Sequence, residues 1–463
     1  MLQRIEAGKS FTCEPRPAHP DEWGIIKVSA MTWGEFDANE NKAVPSGRAI
    51  DPSYEISAGD LLVSRANTKA YVGAPVLVGS CRPKLLLSDK SLRLIPRDGV
   101  VKRWLVHYLR SPAARTYVEA KASGTKDAMR NLSQEVLRRM PIPLPPLAEQ
   151  HRIVEALEEQ LSRIDSGIAT LRSVRTRLAG LRKVILVASV PDEIPASWQM
   201  STVEDAGTVE LGRARHPDWH HGPDMHPYLR VANVFEDRID TTDVMEMDFS
   251  GLWEKYRLEP GDVLLNEGQS PHLVGRPALY RGVPENVAFT NSLLRFRAGD
   301  GVLPEWALLV FRRHLHAKRF MREVRITTNI AHLSSKRLKV VEFPIPPLDV
   351  QERIVQRCDA LLTGVDAMEQ EVSNGLRRAN GLRAALLHRA FIGKLVPQQP
   401  DDEPVAPVLA RIALEQAAKL KPGRGRTAKA GRARKAPVPQ AATPPAPEPS
   451  PTPVLAVQQE FDL

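Results

Sequence analysis

The sequence predicts a mixed α+β chain, with two similar globular domains at opposite ends of a long antiparallel two-helix coiled coil and pseudo-twofold symmetry relating the halves. Three observations lead there. A twelve-residue stretch occurs twice, Pro143-Leu-Pro-Pro-Leu-Ala-Glu-Gln-His-Arg-Ile-Val154 and Pro344-Ile-Pro-Pro-Leu-Asp-Val-Gln-Glu-Arg-Ile-Val355, 201 residues apart. Each copy opens onto an apolar heptad pattern. The landmarks upstream recur as well: Tyr54, Gly59-Asp60, Val72-Gly73 and Trp104 return 202 residues later as Tyr256, Gly261-Asp262, Val274-Gly275 and Trp306. A repeat of this length implies one fold used twice.

Residues 1–143 read as the first globular domain. Short apolar runs such as Gly24-Ile-Ile-Lys-Val28 and Leu61-Leu-Val63 alternate with Gly, Pro and Asn turns, which is strand patterning. Trp104 to Leu109 is spaced for a helix, and a loop from Ser123 to Asn131 follows. Residues 144–190 form the first spacer helix. Leu157, Ile164, Leu171, Leu178 and Ile185 recur every seven residues, with Val154, Leu161 and Ile168 beside them, so the helix presents a coiled-coil seam. It should extend about 60 Å at 1.5 Å per residue. Pro145-Pro146 bounds its start and Pro191 its end, because a proline ring lacks the N–H that a continuing helix needs.

Residues 191–344 form the second domain, entered through Ile194-Pro-Ala-Ser-Trp198, and residues 345–395 form the second spacer helix. Its seam keeps the phase of the first through Cys358, Val365, Val372, Ala379 and Leu386. Gly375 and Gly381 weaken it, each by up to about 1 kcal/mol relative to alanine, so this helix should depend on its partner. A short helical extension covers 396–420. The Arg, Lys, Ala and Pro composition of 421–463 cannot bury a core and predicts disorder. The first domain lacks the Ile-Pro-x-x-Trp entry of the second, and aligning the repeats predicts about fifteen further residues upstream of it.

Composition excludes several classes. With 42% hydrophobic and 26% charged residues the chain is ordinary globular material, and no run of about 18 apolar residues offers a membrane span. The N-terminus has no secretory signal pattern, which places the chain in the cytoplasm. Cys13, Cys81 and Cys358 are too dispersed for a disulfide framework or a zinc motif. The net charge of +9 matters less than its distribution. Residues 102–139 carry nine Lys/Arg against three acids, and residues 312–339 carry nine against Glu323 alone. Each basic cluster precedes a repeat hallmark, as phosphate neutralisation requires, although a solvated helix face has the same composition.

At this point the chain resembles the specificity subunit of type I restriction-modification systems. The resemblance rests on the paired Pro-Pro-Leu-x-x-Gln-x-Arg-Ile-Val hallmarks (Pro146, Leu147, Gln150, Arg152; Pro347, Leu348, Gln351, Arg353), the heptads after them, Gly59-Asp60-Leu-Leu, Gly261-Asp262-Val-Leu and Ala390-Phe-Ile-Gly-Lys-Leu-Val-Pro397. It implies that each globular domain is a target-recognition domain reading half of a bipartite site in double-stranded DNA. The paired helices then serve as a ruler and dock two DNA methyltransferase subunits, to which restriction-translocase subunits can be added. The chain itself would hold no cofactor: S-adenosylmethionine, ATP and Mg²⁺ belong to the partners.

The candidate DNA-contacting residues lie in or beside the basic clusters and after the Gly-Asp turns. They are Arg65, Asn67, Lys69, Lys126, Arg130 and Asn131 in the first domain, and Gln269, Arg322, Arg325, Thr327, Thr328, Asn329 and His332 in the second. Arg can read guanine and Asn or Gln adenine in the major groove, whereas Lys and Thr more often hold phosphate. Each has a plainer reading as a turn or cap. The histidines His216, His220, His221 and His226 resemble a metal cluster by count, but Pro217, Gly222 and Pro223 prevent a helix from presenting two of them on one face, so no metal site is expected. There is no P-loop and no Asn/Asp-Pro-Pro-aromatic run, so no catalytic residue is assigned. The alternative of a different class is a helical scaffold that joins protein partners without binding DNA; a chain that cuts or methylates DNA unaided is a third.

Overall fold

The computed structural model describes residues 1–31, 34–124, 129–327 and 330–419. Lys126, Thr328, Asn329 and the stretch 421–463 fall outside them. By contacts the chain forms two compact units, Met1–Ile168 with Arg377–Leu463, and Ala169–Leu376.

The first unit is built on a four-stranded antiparallel sheet ordered Leu2–Ala7, Ser91–Pro96, Leu61–Ser64, Pro75–Leu77. The second repeats that order with Gly207–Leu211, Leu293–Ala298, Val263–Asn266, Pro277–Leu279. The apolar run Leu61-Leu-Val63 is continuous because its strand is covered on both faces. Leu61 and Val63 enter one core with Trp104 and Leu92, while Leu62 enters another with Ile26 and Val76. Val263 and Leu265 diverge from Leu264 in the same way. A smaller sheet accompanies each: Asn41–Ala43, Gly24–Ile26, Leu85–Leu86 in the first unit and Met245–Asp248, Met225–Leu229, Ala288–Phe289 in the second, the last pair parallel in both. The strand expected over Gly24–Val28 ends at Ile26, and Val28–Ala30 turns into a 3₁₀ segment that buries Ala30.

The recurring glycines are turn positions. Gly59 and Gly261 have φ of +84° and +101°, a region that side chains disfavour. The next residue closes the turn: Asp60 accepts from the Ser57 N–H at 3.0 Å and Asp262 from the Glu259 N–H at 2.8 Å. Gly73 and Gly275 also have positive φ, and a Cβ on Gly275 would lie 2.5 Å from Phe320.

Trp104 and Trp306 are fully buried on helices Lys102–Arg110 and Pro304–His316. Their surroundings differ. Trp306 Nε1 donates to the Pro344 carbonyl at 2.9 Å, and Trp198 packs edge-on against its ring. The Trp104 indole N–H is buried without a hydrogen-bond partner, beside Tyr108 and Phe391. A cavity of about 420 Å³ lined by Trp104, Pro143, Pro146, Ile153 and Phe391 adjoins it.

The two long helices are Leu147–Ala188 and Leu348–Phe391. Within the first unit Ile153 and Leu157 share a core with Leu387 and Ala390, and Asp165 pairs with Arg383. Within the second, Leu178 packs with Val365 and Val372, and Arg182 bonds Asp366 and Glu369. Partner numbers fall as helix numbers rise, so the pairing in each unit is antiparallel. Leu157 and Leu178 are buried and Ile164 and Leu171 half-buried. At the ends the burial maximum moves one residue on, to Leu186 and Leu387, leaving Ile185 and Leu386 half-buried. A 3.6-residue turn drifts in this way against a seven-residue repeat.

Candidate nucleic-acid interface

In both units a short ribbon stands at the end of the basic segment. In the first, Ala66–Asn67 pairs with Arg130–Asn131. Arg130 and Asn131 are therefore strand residues, not loop residues as the sequence reading had them. The Arg130 guanidinium donates to the carbonyls of Ala122 at 2.9 Å, Gly124 at 3.1 Å and Glu119 at 3.3 Å. It braces the end of helix Pro112–Lys121, where unpaired carbonyls attract a cation. Asn67 is also engaged, donating to Ser64 Oγ at 3.2 Å and accepting from the Thr68 N–H at 2.8 Å. Arg65, Lys69 and Asn131 are exposed.

The second unit widens the ribbon to three strands, Gly268–Gln269, Ile330–His332 and Arg325–Thr327. Thr327 and His332 thus also lie on strands. Gln269 repeats the bond of Asn67, its Oε1 accepting from the Ser270 N–H at 3.0 Å. His332 Nδ1 meets Glu267 Oε2 at 3.2 Å. The ring lies across Gly268, where a Cβ would come within 3.1 Å of it. Arg322 and Arg325 are exposed, whereas Arg319 is held by Glu342 and Glu323. Asn266, next to Glu267, is fully buried with neither side-chain polar atom hydrogen-bonded.

The hallmark residues form one device used twice. Gln150 Oε1 accepts from the Val101 N–H at 2.8 Å, and its Nε2 donates to the carbonyls of Gly99 at 2.9 Å and Pro145 at 3.0 Å. Gln351 does the same to Leu303 at 2.9 Å and to Gly301 and Pro346, both at 2.8 Å. Val101 and Leu303 sit at the N-caps of the tryptophan helices. Each buried glutamine therefore satisfies a helix-terminal donor that would otherwise be orphaned and ties its domain to the first turn of a long helix. Leu147 and Leu348 are exposed at matching places. The arginines differ: Arg152 binds Asp402 at 2.5 and 3.0 Å, while Arg353 makes an exposed pair with Asp349.

The histidine-rich segment is engaged locally. His226 stacks on Trp253 with centroids 3.7 Å apart and bonds Asp224, and His216 accepts from the Asp218 N–H. Among the described residues no group of three or more His, Cys, Asp or Glu is placed to hold a metal.

The family model described as "Type I restriction modification DNA specificity domain" matches residues 33–169 and 195–378. The chain belongs to that family. As a type I specificity subunit it is the DNA sequence-specificity component of a restriction-modification system, and it is non-catalytic, with catalysis on partner subunits. The EcoKI specificity subunit of Escherichia coli K12 is 25% identical over 419 residues, covering 85% of this chain and 89% of that one. The StySPI specificity subunit of Salmonella potsdam is 24% identical over 420 residues, covering 85% and 88%. A solved chain from work on assembly and conformational transition of the type I R-M system shares the fold with a TM-score of 0.63 at 20% identity, covering 82% of this chain and 96% of that one. The specificity subunit thus has two recognition domains of mixed α+β structure, as expected, and among its described residues no helix is long and apolar enough to cross a membrane.

Sequence reasoning missed three features of this specificity subunit. Glu267 orients His332, and Asp402 holds Arg152; neither is signalled by the repeat, since the second hallmark arginine has no such partner. Apolar residues are also exposed on or next to the ribbons, Met129 in the first domain and Ile326 and Ile330 in the second, and nothing in their residue type marks them as surface positions.

Proposed function

We propose that the two recognition domains read the two halves of a bipartite duplex site and that the long helices act as a ruler fixing the unread gap between them. The observation that carries this reading is the repeated glutamine clamp. Gln150 and Gln351 fasten each domain to its helix through the same three hydrogen bonds, so helix and domain move as one body. Asn131 on one ribbon, with Arg65 and Lys69 flanking that ribbon in sequence, and Gln269, Arg325 and His332 on the other, with Arg322 ahead of it, supply the cations and amide and imidazole groups that contact phosphate and base edges. Lys126, Thr328 and Asn329 adjoin these positions in sequence, and Thr327 ends a strand. Arg130 supports its ribbon by bracing it.

In this reading two methyltransferase subunits dock on the helices and methylate adenine in each half-site, and restriction-translocase subunits join the same complex in the cytoplasm. S-adenosylmethionine, ATP and Mg²⁺ are bound by those partners. The decisive experiment maps methylated adenines genome-wide in cells with and without this chain. The expected result is a two-part motif with a fixed gap that disappears with the chain; an unchanged methylation map overturns the proposal.

A further inference from the structure

The second recognition ribbon carries two isoleucines where a water-facing hairpin ordinarily carries polar residues. Ile326 is 56% exposed and Ile330 49%. Single exposed apolar residues are common, but these two share one ribbon, and the repeat retains the feature: Met129, 201 residues before Ile330, is 47% exposed beside Arg130–Asn131. The residue types differ while the exposed apolar character stays, as expected of a contact that varies with the target.

Register shows how the ribbon is organised. Arg325 opposes His332, Ile326 opposes Ala331 and Thr327 opposes Ile330, while Gly268 opposes His332 from the other side. Directly opposed residues share a face, as do residues two apart. Arg325, His332 and Ile330 therefore stand together on one face. Ile326 lies on the other, beside the buried Ala331. His332 is oriented by Glu267 and lies over Gly268, whose missing side chain also leaves room beside Ile330 Cγ2. Arg325 is exposed on this ribbon, Lys318, Arg322 and Lys336 in the sequence on either side of it are exposed as well, and the one acid of residues 312–339, Glu323, is bonded to Arg319. An apolar side chain beside a cation and an imidazole on one face, Ile330 with Arg325 and His332, complements a duplex groove, where phosphates flank base edges. The major groove admits a β-ribbon, and its apolar group is the thymine C5 methyl.

We infer that Ile330 is a specificity-determining residue that packs against a thymine C5 methyl group in the half-site read by the second domain. This rests on the DNA-reading role proposed above, under which each half-site contains an A·T pair. The test uses the full chain with its methyltransferase partner and a duplex carrying the mapped site. Thymines of that half-site are replaced one at a time by deoxyuridine, which removes only the methyl. Wild type should lose about fourfold in affinity at one or two positions, the ratio for one methyl-sized group removed from water. Ile330→Ala should lose a similar factor on the thymine duplex and none further on the matching deoxyuridine duplex, whereas Ile326→Ala, on the opposite face, should keep the wild-type deoxyuridine effect. Indifference of wild type to every deoxyuridine overturns the inference, as does an Ile330→Ala variant that keeps the full deoxyuridine effect. A rise in the fluorescence of 2-aminopurine at this step, abolished in Ile330→Ala, would overturn it in favour of insertion between base pairs. Scrambling the whole half-site is the separate control: if that too leaves affinity unchanged, the two-domain reading fails and not merely the methyl contact.

Discussion

Gln150 and Gln351 each reach backbone groups on two separate segments, one ahead of a tryptophan helix and one at the proline entry to a long helix. Leucine at either position keeps the bulk but leaves a helix-terminal N–H and two carbonyls without partners in a buried site. Unsatisfied buried groups cost about 1–3 kcal/mol each, and relaxation recovers part of that, so Gln150→Leu and Gln351→Leu should each destabilise by about 3 kcal/mol in urea unfolding. A loss under about 1 kcal/mol in both variants would mean that the glutamines are not clamps. His314 gives a second prediction. Its Nε2 bonds the Glu342 carbonyl at 3.0 Å, and its Nδ1 is buried without a partner, so a second proton there has no acceptor. Burial pushes its pKa down from 6.5 to about 4. Between those values the unfolded chain binds the proton and the folded chain does not, so stability falls as pH drops from about 6.5 to about 4 and then levels. The loss should reach about 2 kcal/mol by pH 5. His314→Gln should lack this share of the decline; parallel pH profiles of the two proteins would remove His314 as its source. The roles of these residues were only half legible in the sequence. The repeat marks Gln150 and Gln351, but their bonds reach back about fifty residues, and only the fold supplies those partners. The bracing role of Arg130 is hidden for the same reason, since the three carbonyls around its guanidinium are brought there by the fold.

The two long helices are the elements the sequence describes best, because a seven-residue apolar period needs no tertiary information to be recognised. The ribbons are the elements it describes least. A two-residue strand such as Arg130–Asn131 exists only because Ala66–Asn67 lies opposite, and no local pattern announces the pairing. The glycines of the second helix separate the two kinds of information. Gly381 has open space where a Cβ would stand, whereas a Cβ on Gly375 would approach Leu171 Cδ1 to 3.1 Å. Gly381→Ala should therefore stabilise by about 1 kcal/mol, the helix-propensity difference. Gly375→Ala should gain clearly less, because Leu171 must give way. Equal gains, measured by thermal unfolding of the two variants side by side, would show that the close approach at Leu171 has no energetic weight.

At the scale of the molecule the ruler reading makes length itself a functional quantity. Four residues inserted near Thr170 add about 6 Å at 1.5 Å per residue, slightly more than one turn of 3.6 residues, so the apolar stripe beyond the insertion is rotated by only about 40°. Helix pairing is thereby disturbed less than by two inserted residues, which rotate the stripe by about 200°. Neither insertion touches the ribbon residues or the glutamine clamps. The four-residue variant should consequently methylate a site with the same two half-motifs and a longer gap, by about two base pairs at roughly 3.4 Å each, while the two-residue variant should lose stability and activity. The genome-wide methylation map reads all of this at once. Altered half-motifs with an unchanged gap would show that the helices connect the domains without measuring the distance between their targets.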